Sequence, residues 1–240
     1  MVNANKIIGV LGGMGPDATV DFMSKVIGLT PADKDQDHIH MLVDHNPAVP
    51  NRQAAILADG EDPGPELAAM AVRLEAAGAD FLVIPCNTAY VFTDAVIAAT
   101  SVPLISIIDV TVSQAVAEGA KAAGVLATDG CLAAGVYQEA LQQAGIKPVL
   151  PTEEETEQFM TLCYRIKAGY QGERVARNMT RLAEALVARG AEVIIAGCTE
   201  IPLVLKQSAL DVPLISSTDV LAETTVALAR SETALPRSDS

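Results

Sequence analysis

Short runs of apolar, β-branched residues alternate with longer amphipathic stretches rich in Ala and Leu along the chain. This alternation is typical of parallel strands that are covered by helices on both faces. The pattern also predicts helices in most of the gaps between strands, and a frayed tail over residues 231–240. Strands are predicted near 6–11, 39–44, 81–85, 104–107, 123–127, 147–150, 193–197 and 213–216, and helices over 65–77, 132–144, 175–189 and 218–230.

The second half of this pattern repeats the first. GADFLVIPCNTA at 78–89 aligns with GAEVIIAGCTEI at 190–201, and VPLISIIDV at 102–110 aligns with VPLISSTDV at 212–220. KIIGVLGG at 6–13 also aligns with KAAGVLAT at 121–128, so the three matches are collinear. The sequence therefore predicts two α/β units with related chain paths. The alternative is that unrelated strand–helix units have converged on similar short sequences, and the collinear order of the matches disfavours it.

Composition and charge narrow the class of protein. Half of the 240 residues are hydrophobic, but only 3% are aromatic, so aliphatic side chains must build the interior. The net charge of -14 predicts no nucleic-acid and no anionic-membrane partner, because these need basic patches. An anionic substrate would need local cations to overcome this field. The sequence shows neither a secretory signal pattern nor a membrane-spanning apolar run, which predicts a cytoplasmic protein with reduced cysteines.

Two of the four cysteines occupy equivalent positions of the repeat. Cys86 and Cys198 each come eight residues after a glycine and directly after a predicted strand. Because α/β sheets bind ligands at the carboxyl ends of their strands, two facing units would direct both thiols into one cleft. Such a pair could remove a proton from one face of a carbon and deliver another to the opposite face. The alternative is that both are buried structural residues.

Other residues near these strand ends are assigned by position. Thr88 and Thr199 follow the two cysteines and are predicted to cap the next helices. Cys163 is predicted to be helical core, and Cys131 to be a structural residue at a strand-to-helix turn. The cysteine spacings match no paired C-x-x-C pattern, so no metal site is predicted.

Two cations are candidates for holding an anionic substrate. Arg52 ends the loop NPAVPNR, at the same end of the sheet as Cys86, and could clamp a carboxylate with two parallel hydrogen bonds. Lys167 lies in YRIKAG, where a helix is predicted to stop. A solvated arginine and a lysine that favours a helix C-terminus are the alternatives.

The glycine-rich turn GVLGGMGP at 9–16 supports a rival hypothesis. Gly13, Gly15 and Ala18 fit a loose dinucleotide fingerprint, and Asp44 ends the next strand, where a ribose-binding acid would lie. An NAD(P)-dependent oxidoreductase is therefore an alternative function. The exposed N–H groups of residues 12–15 could equally receive a substrate carboxylate.

Together these motifs resemble the aspartate/glutamate racemase family, most closely its aspartate racemase branch, over residues 7 to about 229. VIPCNTA at 83–89 and IIAGCTEIPLV at 194–204 are similar to its two cysteine signatures. The resemblance implies two α/β domains related by a pseudo-twofold, each a mainly parallel four-stranded sheet flanked by helices, with the active site in the cleft between them. It implies a first domain of residues 1–108 plus 217–240, whose C-terminal helix returns, and a second of residues 109–216.

The resemblance also implies a reaction: racemisation of a small acidic amino acid, aspartate or glutamate, without pyridoxal phosphate or metal. By that analogy Cys198 deprotonates the L-enantiomer and Cys86 the D-enantiomer. Arg52 and Lys167 match the positions that bind the substrate carboxylate and stabilise the carbanion. A homodimer is implied as well. The family's substrate-pocket positions are matched by Met14, Asn87, Thr88, Thr128 and Thr199.

Three residues depart from the family pattern and bear on substrate range. Tyr90 stands where His is usual, Cys131 where Thr is common, and Asn51 where Asp usually precedes the arginine. A broad-specificity racemase is therefore an alternative. Related proteins on the same fold act as maleate isomerases or single-cysteine decarboxylases, so a maleate-isomerase-like enzyme is another alternative, while the presence of both cysteines disfavours a decarboxylase. A non-catalytic sensor of a small acid is a further alternative, although it leaves the paired cysteines without a role.

Overall fold

The computed structural model describes residues 5–230 and contains two four-stranded parallel sheets. The strand order is β2-β1-β3-β4 in the first sheet and β6-β5-β7-β8 in the second, so both follow the same path. The predicted fold class is confirmed, and each strand overlaps its predicted range. The strands are β1 (Ile8–Gly12), β2 (Met41–His45), β3 (Phe81–Val83), β4 (Leu104–Ile105), β5 (Ala122–Leu126), β6 (Lys147–Val149), β7 (Val193–Ala196) and β8 (Leu214–Ser216).

Helices flank both sheets, and three of the four predicted ones match closely. The helix predicted over 132–144 is wrong: two helices replace it, because Gly135 adopts a left-handed conformation, with φ of 73°, and breaks the run. The predicted tail lies outside the described residues. The helices are α1 (Pro16–Leu29), α2 (Arg52–Leu57), α3 (Gly64–Ala76), α4 (Thr93–Ala99), α5 (Ile107–Ala117), α6 (Asp129–Ala134), α7 (Val136–Gln143), α8 (Glu153–Lys167), α9 (Glu173–Ala188) and α10 (Ser217–Arg230).

The repeat extends to side-chain packing. A Cβ placed on Gly9 of β1 would lie 2.6 Å from Leu82 Cδ2, and one placed on Gly124 of β5 would lie 2.7 Å from Ile194 Cδ1. These two glycines, and the two residues they face, are equivalent in the sequence repeat. Each sheet therefore needs a glycine at the same place, where the neighbouring strand's side chain crosses it.

The largest hydrophobic cluster runs through both halves of the protein. Side chains alternate along β7, as the two faces of a strand require. Val193 and Ile195 belong to the cluster shared with the first sheet, while Ile194 and Ala196 belong to a second cluster, with side chains of α8 and α9. The shared cluster fixes one sheet against the other, which matters for a site built from both.

The C-terminal helix packs back onto earlier elements. α10 contacts α1 and α5, and the Lys6 amide donates a hydrogen bond to the Ala229 carbonyl at 2.9 Å. The domain boundaries given above remain a prediction. Within residues 5–230, no helix is long and apolar enough to cross a membrane.

Candidate active site

The two repeat cysteines lie at the carboxyl ends of equivalent strands, Cys86 after β3 and Cys198 after β7. Both are buried free thiols, and both line one narrow cleft. The structure brings all nine candidate residues to this cleft, together with three that sequence reasoning missed. The nine are Met14, Arg52, Cys86, Asn87, Thr88, Thr128, Lys167, Cys198 and Thr199, and the three are Gln53, Gly197 and Glu200.

Cys198 lies among groups that keep it protonated. Its Sγ is 3.5 Å from Cys163 Sγ on α8 and donates a hydrogen bond to Glu200 Oε2 at 3.0 Å. The pKa of Cys198 is raised well above the ordinary value of a thiol, first by the contact with Cys163, then by burial and the nearby Glu200 carboxyl. Cys198 is therefore a thiol in the substrate-free cleft.

Lys167 brings a positive charge to the same group. It is the last residue of α8, and its Nζ lies 3.5 Å from Glu200 Oε1. Burial works against its charge, but Glu200 and Cys198 outweigh burial, and the net pKa of Lys167 is raised. The lysine therefore stays charged beside the cleft. The predicted helix end is also confirmed, because α8 stops here, just before a glycine with φ of 86°.

Arg52 is fixed at the start of α2. Its Nη1 donates to the carbonyls of Val49 and Pro50 at 3.1 and 2.8 Å. Its Nε is buried and has no hydrogen-bond partner among the described residues, so a donor remains for a ligand. Asn51 caps this helix by accepting from the Gln53 and Ala54 amides. The departure at Asn51 thus preserves the cap, since an amide oxygen accepts as a carboxylate does.

A chain of buried hydrogen bonds positions Asn87, the residue after Cys86. Tyr137 Oη donates to Asn87 Oδ1 at 2.6 Å, and Asn87 Nδ2 donates to Ser217 Oγ at 3.1 Å. Ser217 Oγ in turn donates to the Ala196 carbonyl at the end of β7, at 2.8 Å. The chain joins the cysteine segments of the two halves, because Asn87 follows one cysteine and Ala196 precedes the other.

A second bridge crosses the cleft. Thr88 Oγ1 and Thr128 Oγ1 are 2.8 Å apart, and Thr128 caps α6 by accepting from the Cys131 amide at 3.3 Å. The predicted capping roles of Thr88 and Thr199 are wrong. Thr88 lies inside a 3-10 turn, and Thr199 Oγ1 instead contacts Glu200 Oε2 at 3.4 Å. In both places the chain after the strand forms a 3-10 turn without a side-chain cap.

The two remaining departures are buried structural residues. Tyr90 donates its hydroxyl to the Ile105 carbonyl at 2.5 Å, and burial raises its pKa. Cys131 is fully buried, and burial raises the pKa of its thiol to about 12. Neither is among the residues that line the cleft. The structural interpretation of Cys131 is therefore supported.

The glycine-rich turn serves the cleft through Met14 rather than through all of its amides. The Gly13 amide already donates to Thr19 Oγ1 at 2.8 Å, so this donor is not available to a substrate carboxylate. The expectation that the N–H groups of residues 12–15 could receive a substrate carboxylate is therefore wrong for Gly13. Asp44, which an oxidoreductase would need for a ribose, instead accepts from Arg73 Nε at 2.8 Å. The acid that the oxidoreductase alternative requires is thus already paired with an arginine.

Comparison with known proteins identifies the class to which two such α/β halves belong. Residues 11–225 match the sequence profile of the Asp/Glu/hydantoin racemase family, and the chain belongs to this family. The prediction of the enzyme class, an isomerase of the racemase type, is confirmed.

Individual relatives extend over nearly the whole chain. The broad specificity amino-acid racemase RacX of Bacillus subtilis is 31% identical over 224 residues, which cover 92% of this chain and 96% of that protein. The aspartate racemase of Picrophilus torridus superposes with a TM-score of 0.84 at 26% identity, covering 93% and 94% of the two chains. A glutamate racemase of Francisella tularensis, solved with D-glutamate, shares the fold at 19% identity with a TM-score of 0.69, covering 98% and 86%.

Proposed function

We propose that this protein interconverts the L- and D-enantiomers of an acidic amino acid, aspartate first, with Cys86 and Cys198 as the two opposed acid/base groups. The observation that carries the proposal is that thiols from equivalent strand ends of a repeated fold line one cleft. Racemisation requires an acid and a base on opposite faces of the α-carbon. Two thiols related by the repeat supply one such group for each face.

In the direction from L to D, the Cys198 thiolate takes the α-proton and the carbon keeps the electron pair. The Cys86 thiol then donates its proton to the opposite face, which leaves Cys198 as the thiol and Cys86 as the thiolate. The reverse direction starts from that state.

Deprotonation of the α-carbon by a thiolate is unfavourable unless charged groups are already in place to stabilise the carbanion. Lys167 holds a positive charge beside Cys198, and Arg52 offers an unpartnered buried donor to a carboxylate. Preorganised groups of this kind are typically worth about 3–4 kcal/mol each at the transition state. They also supply the local cations that an anionic substrate needs in a protein of net charge -14.

A wider substrate range is the second candidate. The Bacillus relative is named for broad specificity. In addition, Glu200 offsets part of the charge of Lys167, which weakens the preference for an acidic side chain. The cytoplasmic location and the homodimer expected from the sequence stay predictions.

A chiral-chromatography assay of the single L-amino acids, with aspartate and glutamate among them, tests the proposal. We expect D-aspartate to accumulate with the wild type. Cys86→Ala and Cys198→Ala should each lose this activity, while Cys131→Ala, which removes a buried thiol outside the cleft, should keep it. Near-full turnover of both enantiomers by either cleft variant would rule out the two-thiol mechanism.

The oxidoreductase alternative has its own readout. It requires NAD or NADP to bind the glycine-rich turn, and a bound dinucleotide would raise the melting temperature. We expect no rise with either dinucleotide and a rise with aspartate.

A further inference from the structure

Three potential metal ligands meet beside the cleft. Cys163 Sγ, Cys198 Sγ and a Glu200 carboxylate oxygen all lie within 4.8 Å of one another, and all three residues are buried. The mechanism proposed above uses Cys198 but gives no role to Cys163. Cys163 has no counterpart in the first half of the repeat, so it adds a donor on one side of the cleft only.

The spacing of these atoms is close to that of a tetrahedral zinc site. Zn–S bonds of ~2.3 Å and Zn–O bonds of ~2.0 Å place ligand atoms roughly 3.5–3.8 Å apart. Here the two sulfurs are 3.5 Å apart, and Cys198 Sγ is 3.0 Å from Glu200 Oε2. Small side-chain movements would thus bring the three donors onto one ion.

The charges at this point also favour a cation. Oε2 of Glu200 contacts the Cys198 thiol, while Oε1 lies 3.5 Å from Lys167 Nζ, so the lysine and the thiol meet different oxygens of the carboxylate. The present hydrogen bonds hold protons between three groups that are anionic when ionised. A divalent cation would replace those protons.

We propose that Cys163, Cys198 and Glu200 form a binding site for a thiophilic divalent cation of the Zn²⁺ class, and that its occupation switches the racemase off. The inhibitory part rests on the proposed function, while the binding part does not. Binding is balanced as one divalent cation and two thiols giving a dithiolate complex and two protons, with the Glu200 carboxylate as third ligand. Cys198 and Glu200 both line the cleft, so two of the three proposed ligands adjoin it. This revises the expectation of no metal site, which depended on cysteine spacing along the chain.

Cobalt titration of the full-length protein tests binding without any use of activity. The metal-free protein, kept reduced with a phosphine because thiol reductants bind the metal, is titrated with Co²⁺ and then with Zn²⁺. We expect one equivalent of tetrahedral, thiolate-ligated cobalt that Zn²⁺ displaces. Cys163→Ala should weaken binding at least about 100-fold, since the loss of an outer-shell partner alone typically costs 10–100-fold. Cys131→Ala is the matched control and should bind like the wild type.

Inhibition is then measured for each protein against its own metal-free rate. Zn²⁺ should stop racemisation by the wild type and by Cys131→Ala, and a chelator should restore it. Cys163→Ala should remain active at zinc concentrations that stop the other two. Equal sensitivity of all three proteins, or a cobalt spectrum without thiolate ligation, would overturn the proposal. If no substrate is found, the cobalt spectrum alone still decides the binding site, and the failure then belongs to the proposed function.

Discussion

Removing the Tyr137 hydroxyl tests whether the buried chain through Asn87 positions the cleft. Tyr137 is fully buried, and its hydroxyl donates to Asn87 Oδ1 at 2.6 Å. Tyr137→Phe keeps the ring, which packs against Gly197 beside Cys198, but leaves the Asn87 oxygen without this donor. An unsatisfied buried acceptor costs about 1–3 kcal/mol. For a chain of this size we expect a fall in melting temperature of roughly 2–12 °C.

The same loss should reach the chemistry, because Asn87 directly follows Cys86. If the misplaced amide raises the free energy of the transition state by as much as it destabilises the fold, kcat/KM falls about 5- to 150-fold. Tyr90→Phe is the matched control, since it removes a buried hydroxyl bonded to the Ile105 carbonyl, away from the cleft lining. Thermal unfolding and chiral chromatography of both variants measure the two effects. The positioning role would be refuted if Tyr137→Phe lost stability but its kcat/KM for racemisation were no lower than that of Tyr90→Phe.

Three further outcomes follow from single contacts. Gly124→Ala should lower the free energy of unfolding by about 1–3 kcal/mol through overpacking. Gly28→Ala is the control, because a Cβ there meets open space, and equal stability of the two variants would contradict this prediction. Cys198 must lose its proton before it can deprotonate the L-enantiomer, and its pKa is raised, so kcat/KM for that enantiomer should still be increasing above the pH at which an ordinary thiol ionises. Cys163→Ala removes the largest cause of the raised pKa and should move this increase to lower pH. A pH profile shifted upward would be the contrary result. Arg52→Lys should raise KM about tenfold, because a lysine lacks the planar fork that binds a carboxylate, and an unchanged KM would show that Arg52 does not hold the substrate.

Much of the fold follows from the sequence because the signals are local and repeated. Apolar β-branched runs predict the strands, and the collinear repeat predicts that both sheets share one strand order. The helix predicted over 132–144 failed at Gly135, where a left-handed residue divides one amphipathic pattern into two helices. That break sets where α7 begins, and α7 carries Tyr137 to Asn87.

The candidate site was predictable where its residues adjoin strand ends and not where it depends on helix packing. Cys86 and Cys198 are at fixed places after their strands, so the repeat identifies them. Glu200 is two residues beyond Cys198, yet only its burial beside Lys167 shows that it belongs to the cleft. Cys163 is 35 residues from Cys198 in sequence, and its contact with that thiol depends on where α8 lies relative to the segment after β7. Sequence spacing carries no signal for that contact.

Racemisation of the L-enantiomer in deuterium oxide tests the two-thiol mechanism most directly. The proton that Cys86 donates has exchanged with solvent, while the proton that Cys198 removes comes from the substrate. At low conversion we therefore expect the D-enantiomer to carry deuterium at the α-carbon and the remaining L-enantiomer to carry almost none, measured by mass spectrometry after chiral separation. A D-enantiomer that retains the original proton, or equal labelling of both enantiomers at low conversion, would contradict transfer between two opposed thiols.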